Sequence, residues 1–225
     1  MAATNSSGTH GKKKVCMRVL GIDPAASGPT GYGIVESDGR CCHMVHYGAL
    51  KVAAKRQRDL AGAVLQDVHK LLCDLIEKFS PDAMAVESVF TALNMRTALR
   101  LAEVRGVVLL AAVQHGLEVH SYAPREVKAH IAGHGHADKR QMQMMVRALL
   151  SMNEIPEPSD AADALAVALC HLQAEQARQR FGLSDPSVLT KSRARRSGPA
   201  FIASPSDIQT GSATRSQPPR IVLTR

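Results

Sequence analysis

Apolar and polar residues follow two different rhythms along this chain, and the switches between them outline its elements. Three β-prone segments come first: "MRVLGID" (17–23), "GYGIVES" (31–37) and "CCHMVHYGALKV" (41–52). Asp38-Gly39 between the second and third is a hairpin signal, because tight hairpin turns need backbone that Gly and Asp tolerate. These segments are expected to pair as an antiparallel meander. A three- and four-residue rhythm then takes over at Leu60, Val64, Val68, Leu71, Leu75 and Phe79, giving a helix with one apolar stripe that Pro81 ends. A strand at 82–88 ("DAMAVES"), a long helix from Asn94 to Gln114 and a short strand at 117–123 ("LEVHSYA") follow. That alternation calls for parallel pairing through right-handed crossovers. After Pro124 the pattern is helical, in "REVKAHIA", "DKRQMQMMVRALL" and "SDAADALAVALCH". The predicted fold class is α/β, a mixed five-stranded sheet flanked by helices.

Periodicity is absent before residue 17 and fades past 175, which divides the chain into three. Residues 1–16 are expected to be a flexible basic extension, 17–175 the folded domain, and 176–225 a basic, Ser/Pro/Arg-rich tail too polar to order itself. Charge follows the same division. The net +8 of the whole chain is concentrated outside the domain: residues 1–18 hold four Lys/Arg and no acid, and 174–225 hold nine Lys/Arg against three Asp/Glu. Residues 19–173 carry 15 basic and 17 acidic residues. Bulk charge therefore cannot carry a nucleic-acid reading, which needs a site.

Five cysteines in neither a CxxC nor a Cys/His zinc pattern point to free thiols in a reducing compartment. With no apolar run of membrane-spanning length and no signal-type segment, a cytoplasmic protein without membrane association is expected.

Candidate chemistry begins with two acids at the head of the last apolar helix. Asp160 and Asp163 stand three apart, so in a helix both lie on one face about 5 to 6 Å apart. Ser159 behind Pro158 is the expected N-cap, placing both acids in the first turn. Acids also favour helix starts for electrostatic reasons alone, so the pair by itself leaves both readings open. Two further acids change the balance. Asp23 closes the strand "RVLGID" and Glu87 closes "DAMAVE", and strand ends are where ligands bind in α/β sheets. Four carboxylates from three elements repel one another unless cations neutralise them. Hard oxygen ligands favour Mg²⁺, two ions per subunit with Mn²⁺ able to stand in, and the chemistry implied is phosphoryl hydrolysis. His171 shares the helix face with Asp160, but eleven rises put it roughly 16 Å away, beyond the same ion.

The ordered segments "LGIDPAASGPTGYGIV", "AVESVF", "AEVRGVVLLAAV", "PREVKAHIAGHGHADKRQMQMMVRALL" and "DAADALAVALCH" resemble the RuvC family of Holliday-junction resolvases, from about Arg18 to Gln173. The resemblance implies a homodimeric, RNase H-like crossover junction endodeoxyribonuclease that makes paired symmetric nicks in four-way junction DNA during recombination and repair. It also implies a branch-migration partner of the RuvA and RuvB type. By the same resemblance, the metal-binding acids fall on Asp23, Glu87, Asp160 and Asp163. Phe90 matches an aromatic that stacks on bases at the junction centre, and Lys128 and Lys139 match lysines beside the scissile backbone.

The chain departs from the family at two places beside these motifs. Ala25 replaces the usual glycine after "GIDP"; in a positive-φ turn that costs on the order of 1 kcal/mol. Ser88 stands where glutamine is frequent, which removes a polar reach toward DNA. His130, His134 and His136 lack partner cysteines and read as a phosphate-facing loop rather than a zinc site. Met142, Met144, Met145 and Met152 read as helix packing. Two other functions remain on the table: an ATP-binding fold of the actin and sugar-kinase type, from the glycines of "GIDPAASGPTGYG", and a junction-binding protein without cleavage. The first requires a second domain for which the ordered region is too short.

Overall fold

A computed structural model of the chain describes residues 16–25, 29–50, 62–88 and 94–182. All of these fall within one unit, Met1–Lys191; the second unit, Ser192–Arg225, and the N-terminal extension lie outside the described residues. The strands are β1 (Met17–Asp23), β2 (Thr30–Ser37), β3 (Cys42–Leu50), β4 (Ala83–Glu87) and β5 (Glu118–Tyr122). The helices are α1 (Ala63–Phe79), α2 (Met95–Gln114), α3 (Pro124–Ala132), α4 (Lys139–Leu149) and α5 (Ser159–Phe181). Sheet order is β3-β2-β1-β4-β5, with β1, β2 and β3 antiparallel and β4 parallel to both β1 and β5. The mixed five-stranded sheet expected from the sequence is the one observed.

The hairpin between β2 and β3 turns where expected. Gly39 takes φ 86°, and Asp38 Oδ1 accepts the backbone N–H groups of Arg40 and Cys41, both at 2.9 Å. The helix before Pro81 begins at Ala63; Leu60 lies outside the described residues. Ser80, at φ 46°, closes that helix ahead of the proline.

Strand alternation sorts the apolar residues into two cores. Leu20, Ile22, Ile34, Met84, Val86 and Val119 pack on one face against α1 and α2. Val19, Val35, Ala85 and Tyr122 pack on the other face against α3, α4 and α5. Helix α5 lies between the sheet and α3 and α4, and every residue from Ala164 to Leu172 is buried. A helix enclosed on all sides has no polar face, which is why its body reads as an unbroken apolar run.

Three glycines let α5 approach the sheet. A Cβ at Gly21 would stand 2.1 Å from the Ala164 carbonyl oxygen, and one at Gly31 2.0 Å from that of Asp160. At Gly33 it would stand 2.8 Å from the Leu165 side chain. The helix therefore rests directly on the backbone of β1 and β2.

Three expectations need correction. Ser159 is the first residue of α5, not its cap; Pro158 is the N-cap and offers no side-chain hydrogen bond, while its carbonyl accepts from Ala161 N–H at 3.0 Å. Helix α5 continues to Phe181, past the 175/176 boundary, because "QAEQARQR" keeps helix-forming residues after the apolar run ends. Of the four methionines read as packing, Met142 and Met152 pack in the core, but Met144 and Met145 are 48% and 37% exposed. On α4 the buried face belongs to Met142 and Val146, which leaves Met144 and Met145 toward solvent, while Met152 lies beyond the end of the helix.

Among the described residues, no helix is long and apolar enough to cross a membrane.

Candidate functional site

The same pleat that sorts the core aims two acids at one place. On β1, Leu20 and Ile22 face α1 and α2, so Asp23 faces the α5 side; on β4, Met84 and Val86 face α1 and α2, so Glu87 does the same. Both strands are parallel neighbours and end together, with Ile22 beside Val86. Gly31, paired with Asp23 across the β1–β2 ladder, lies directly under the Asp160 carbonyl. The glycine thus brings the first turn of α5 down onto the end of β1. All four acids are partly buried.

Their electrostatics show that they share one pocket of low polarity. Asp23 is pushed up from 3.8 to about 8, first by burial, then by the negative charges of Glu87 and Asp163, with Asp160 contributing as well. The Asp23 carboxyl donates a hydrogen bond to Glu87, which stabilises the Glu87 carboxylate against the burial that raises it. Asp163 is also raised by burial, opposed by Lys139, whose Nζ stands 3.4 Å from Asp163 Oδ2. Lys128 on α3 lowers both Glu87 and Asp163. Of the residues singled out by sequence, six therefore meet at one end of the sheet: Asp23, Glu87, Asp160, Asp163, Lys128 and Lys139. Phe90 lies outside the described residues, as do residues 26–28 that follow Ala25.

The donor set suits a hard divalent cation. It consists of carboxylate oxygens, and the burial and mutual repulsion that raise Asp23, Glu87 and Asp163 are what a bound cation would relieve. Among the described residues no three His, Cys, Asp or Glu side chains lie close enough together, as they stand, to hold a metal ion. Lys139, 3.4 Å from Asp163, offsets part of the negative charge.

Other expectations are resolved nearby. Among the described residues the only non-glycine positions at positive φ are Ser80 and Ser151, so Ala25 does not incur the left-handed penalty. Ser88 is buried and its N–H donates to Tyr122 O at 2.8 Å, a role in joining β4 to β5 rather than in reaching outward. His171 is buried, with Nδ1 2.8 Å from Tyr122 Oη and its ring 4.2 Å from that of His120. It belongs to the core beneath the acids, as the helical rise requires. The strand glycines are the part that pattern reading missed; their signal was the recurrence of Gly inside β-prone segments, which marks close backbone approach.

Comparisons with known proteins agree on one family. The family model described as crossover junction endodeoxyribonuclease RuvC matches residues 19–171. The crossover junction endodeoxyribonuclease RuvC of Chloroflexus aggregans is 45% identical over 168 residues, covering 75% of this chain and all of that protein. The enzyme of the same name from Caldicellulosiruptor saccharolyticus is 43% identical over 157 residues, covering 69% of this chain and 92% of its own length. Among solved structures, Thermus thermophilus RuvC in complex with a Holliday junction substrate superposes with TM-score 0.67 at 34% identity, covering 72% of this chain and 96% of that one. The yeast mitochondrial Holliday junction resolvase Ydc2 shares the fold, with TM-score 0.54 at 17% identity.

Proposed function

This chain belongs to the RuvC family of crossover junction endodeoxyribonucleases, and from that premise we propose that it cuts four-way DNA junctions by hydrolysing phosphodiester bonds at the acid cluster. The RNase H-like fold and junction-directed nuclease function are those of the family. The observation that carries the assignment of the site is the convergence of four carboxylates from three elements, with two lysines at their rim.

Asp23, Glu87, Asp160 and Asp163 would hold Mg²⁺, two ions per subunit, and bound Mg²⁺ supplies Lewis acidity to the phosphodiester. The chain's own groups do the rest. Partial burial limits competition from water, so the carboxylates would hold a cation firmly where its positive charge offsets the negative charge of the phosphate. Lys128 and Lys139 bind the strand being cut; Lys139 is 58% exposed and can turn from Asp163 to a phosphate oxygen. Phe90, in the segment that follows β4, stacks on bases at the junction centre.

Symmetric nicks on two strands require two equivalent sites, so the functional unit is a homodimer. Helix α2 supports this. Met95, Leu99, Leu110 and Val113 are 75%, 59%, 52% and 58% exposed, and with Ala102 and Gly106 they recur at three- and four-residue steps along one stripe. Such a stripe fits a second copy of itself by helix packing. A RuvA and RuvB type motor and a reducing cytoplasmic setting complete the proposed context.

A synthetic four-way junction with Mg²⁺ tests this reading. Wild type is expected to produce paired nicks, whereas Asp23→Asn and Asp163→Asn bind the junction and leave it whole. ATP hydrolysis with an intact junction would make the protein a kinase-type ATPase instead, and binding without cutting by wild type would make it a non-cleaving junction binder.

A further inference from the structure

We propose that Asp138 is a positioning residue for cleavage, holding Lys139 against the acid cluster through the cap of α4; the inference rests on the role of Lys139 given above. Lys139 is the first residue of α4, so its direction depends on where that helix begins. Helix starts fray unless their unpaired N–H groups find acceptors. Here Asp138 supplies a complete capping box: its Oδ1 accepts from Gln141 N–H at 2.8 Å, and its own N–H donates to Gln141 Oε1 at 3.0 Å. Its carbonyl accepts the first helical bond, from Met142 N–H at 3.0 Å. Ala137, just before it, is 1% exposed, and Met142 and Val146 anchor the helix in the core, so the cap joins two buried points.

Asp138 is exposed and is not among the groups that shift Asp23, Glu87 or Asp163. It acts on the site through the backbone, not through its charge. An acid beside bound DNA is electrostatically unfavourable, so a residue that only tuned binding would be better replaced by a neutral one. Its use as an N-cap explains its presence: with the cap lost, the first turn opens and Lys139 spends less time within reach of a phosphate.

The test is a double-mutant cycle at saturating protein on a four-way junction with Mg²⁺, with junction affinity measured separately in Ca²⁺ and Tm recorded for each variant. Asp138→Ala is expected to cut more slowly, by up to roughly fivefold, the factor by which loss of an average N-cap lowers the equilibrium constant for forming the turn. Its junction affinity should be unchanged or tighter. Asp138→Ser, which caps without charge, should restore the rate. In a Lys139→Ala background, Asp138→Ala should have no further effect. An Asp138→Ala rate equal to wild type, or an equal loss in both backgrounds, overturns the inference while leaving the site assignment intact. Wild-type cleavage by Lys139→Ala overturns the role of Lys139 and this inference with it.

Discussion

Asp23 shows what a buried carboxyl costs and what it gains. Its pKa of about 8 in the fold against an ordinary 3.8 means that the folded chain binds a proton the unfolded chain releases. The stabilising effect of that proton is complete below about pH 4 and is lost as pH rises toward 8. Without divalent cations, Tm is therefore expected to fall across this window, and Asp23→Asn to reduce the fall, leaving the part due to Glu87 and Asp163. At pH 8 the variant should melt about 3 °C or more above wild type, on a scale of roughly 2–4 °C per kcal/mol for a domain of this size. Millimolar Mg²⁺ should raise the wild-type Tm at pH 8 and leave the variant's nearly unchanged. Differential scanning calorimetry at pH 5, 6.5 and 8 measures all three, and a flat wild-type profile would refute the assignment of Asp23 to a charge-strained cluster. All four acids were visible in the sequence as carboxylates at strand and helix ends, whereas Lys128 and Lys139 were marked only by the family resemblance. Their mutual reach was not visible, because charge repulsion depends on distances that only the folded chain has.

At the scale of elements, the seat of α5 decides whether the acids meet. Gly31 is the point of closest approach: alanine there would overlap the Asp160 carbonyl and lift the first turn of the helix. Gly31→Ala is expected to destabilise by about 1–3 kcal/mol, the usual cost of overpacking, and to weaken divalent-cation binding at the same time. Urea unfolding with a parallel Mn²⁺ titration reads both, and a variant with lower stability but unaltered cation affinity would detach the glycine from the site. The elements themselves were legible because their periodicities are strong: the meander and the helices at 63–79, 95–114 and 139–149 follow the predicted pattern within a few residues. The end of α5 was less so, since its last turns leave the core and lose the apolar stripe while keeping good helix formers. Its start was misread for a different reason. Serine is the better cap by preference, yet the backbone turns at Pro158 and makes Ser159 the first helical residue.

The proposed activity needs two sites on one junction, and the exposed α2 stripe is the face proposed for a second copy. Leu99→Glu together with Leu110→Glu is expected to yield monomers by sedimentation velocity and to replace paired nicks with single ones. Monomers that still cut both strands together would exclude this face as the interface. The basic segments outside the described residues are expected to contribute at the same scale by another force. Residues 183–225 contain seven Lys/Arg and two Asp, and tethered cations release counterions when they meet phosphates. Deleting this segment should flatten the dependence of junction affinity on salt while leaving the cleavage rate at saturation unchanged. An unaltered slope would assign the tail to something other than DNA.

Sequence alone determined the order and type of the elements, because hydrophobic periodicity is a local property that burial imposes on each segment separately. It also nominated the side chains of the proposed chemistry, since only certain residues can hold a hard cation or pair with phosphate. Tertiary structure decided the rest. The raised pKa of Asp23, the pairing of Lys139 with Asp163 and the glycine seat beneath Asp160 all depend on which residues from distant segments come within a few ångströms, and no local pattern encodes that distance.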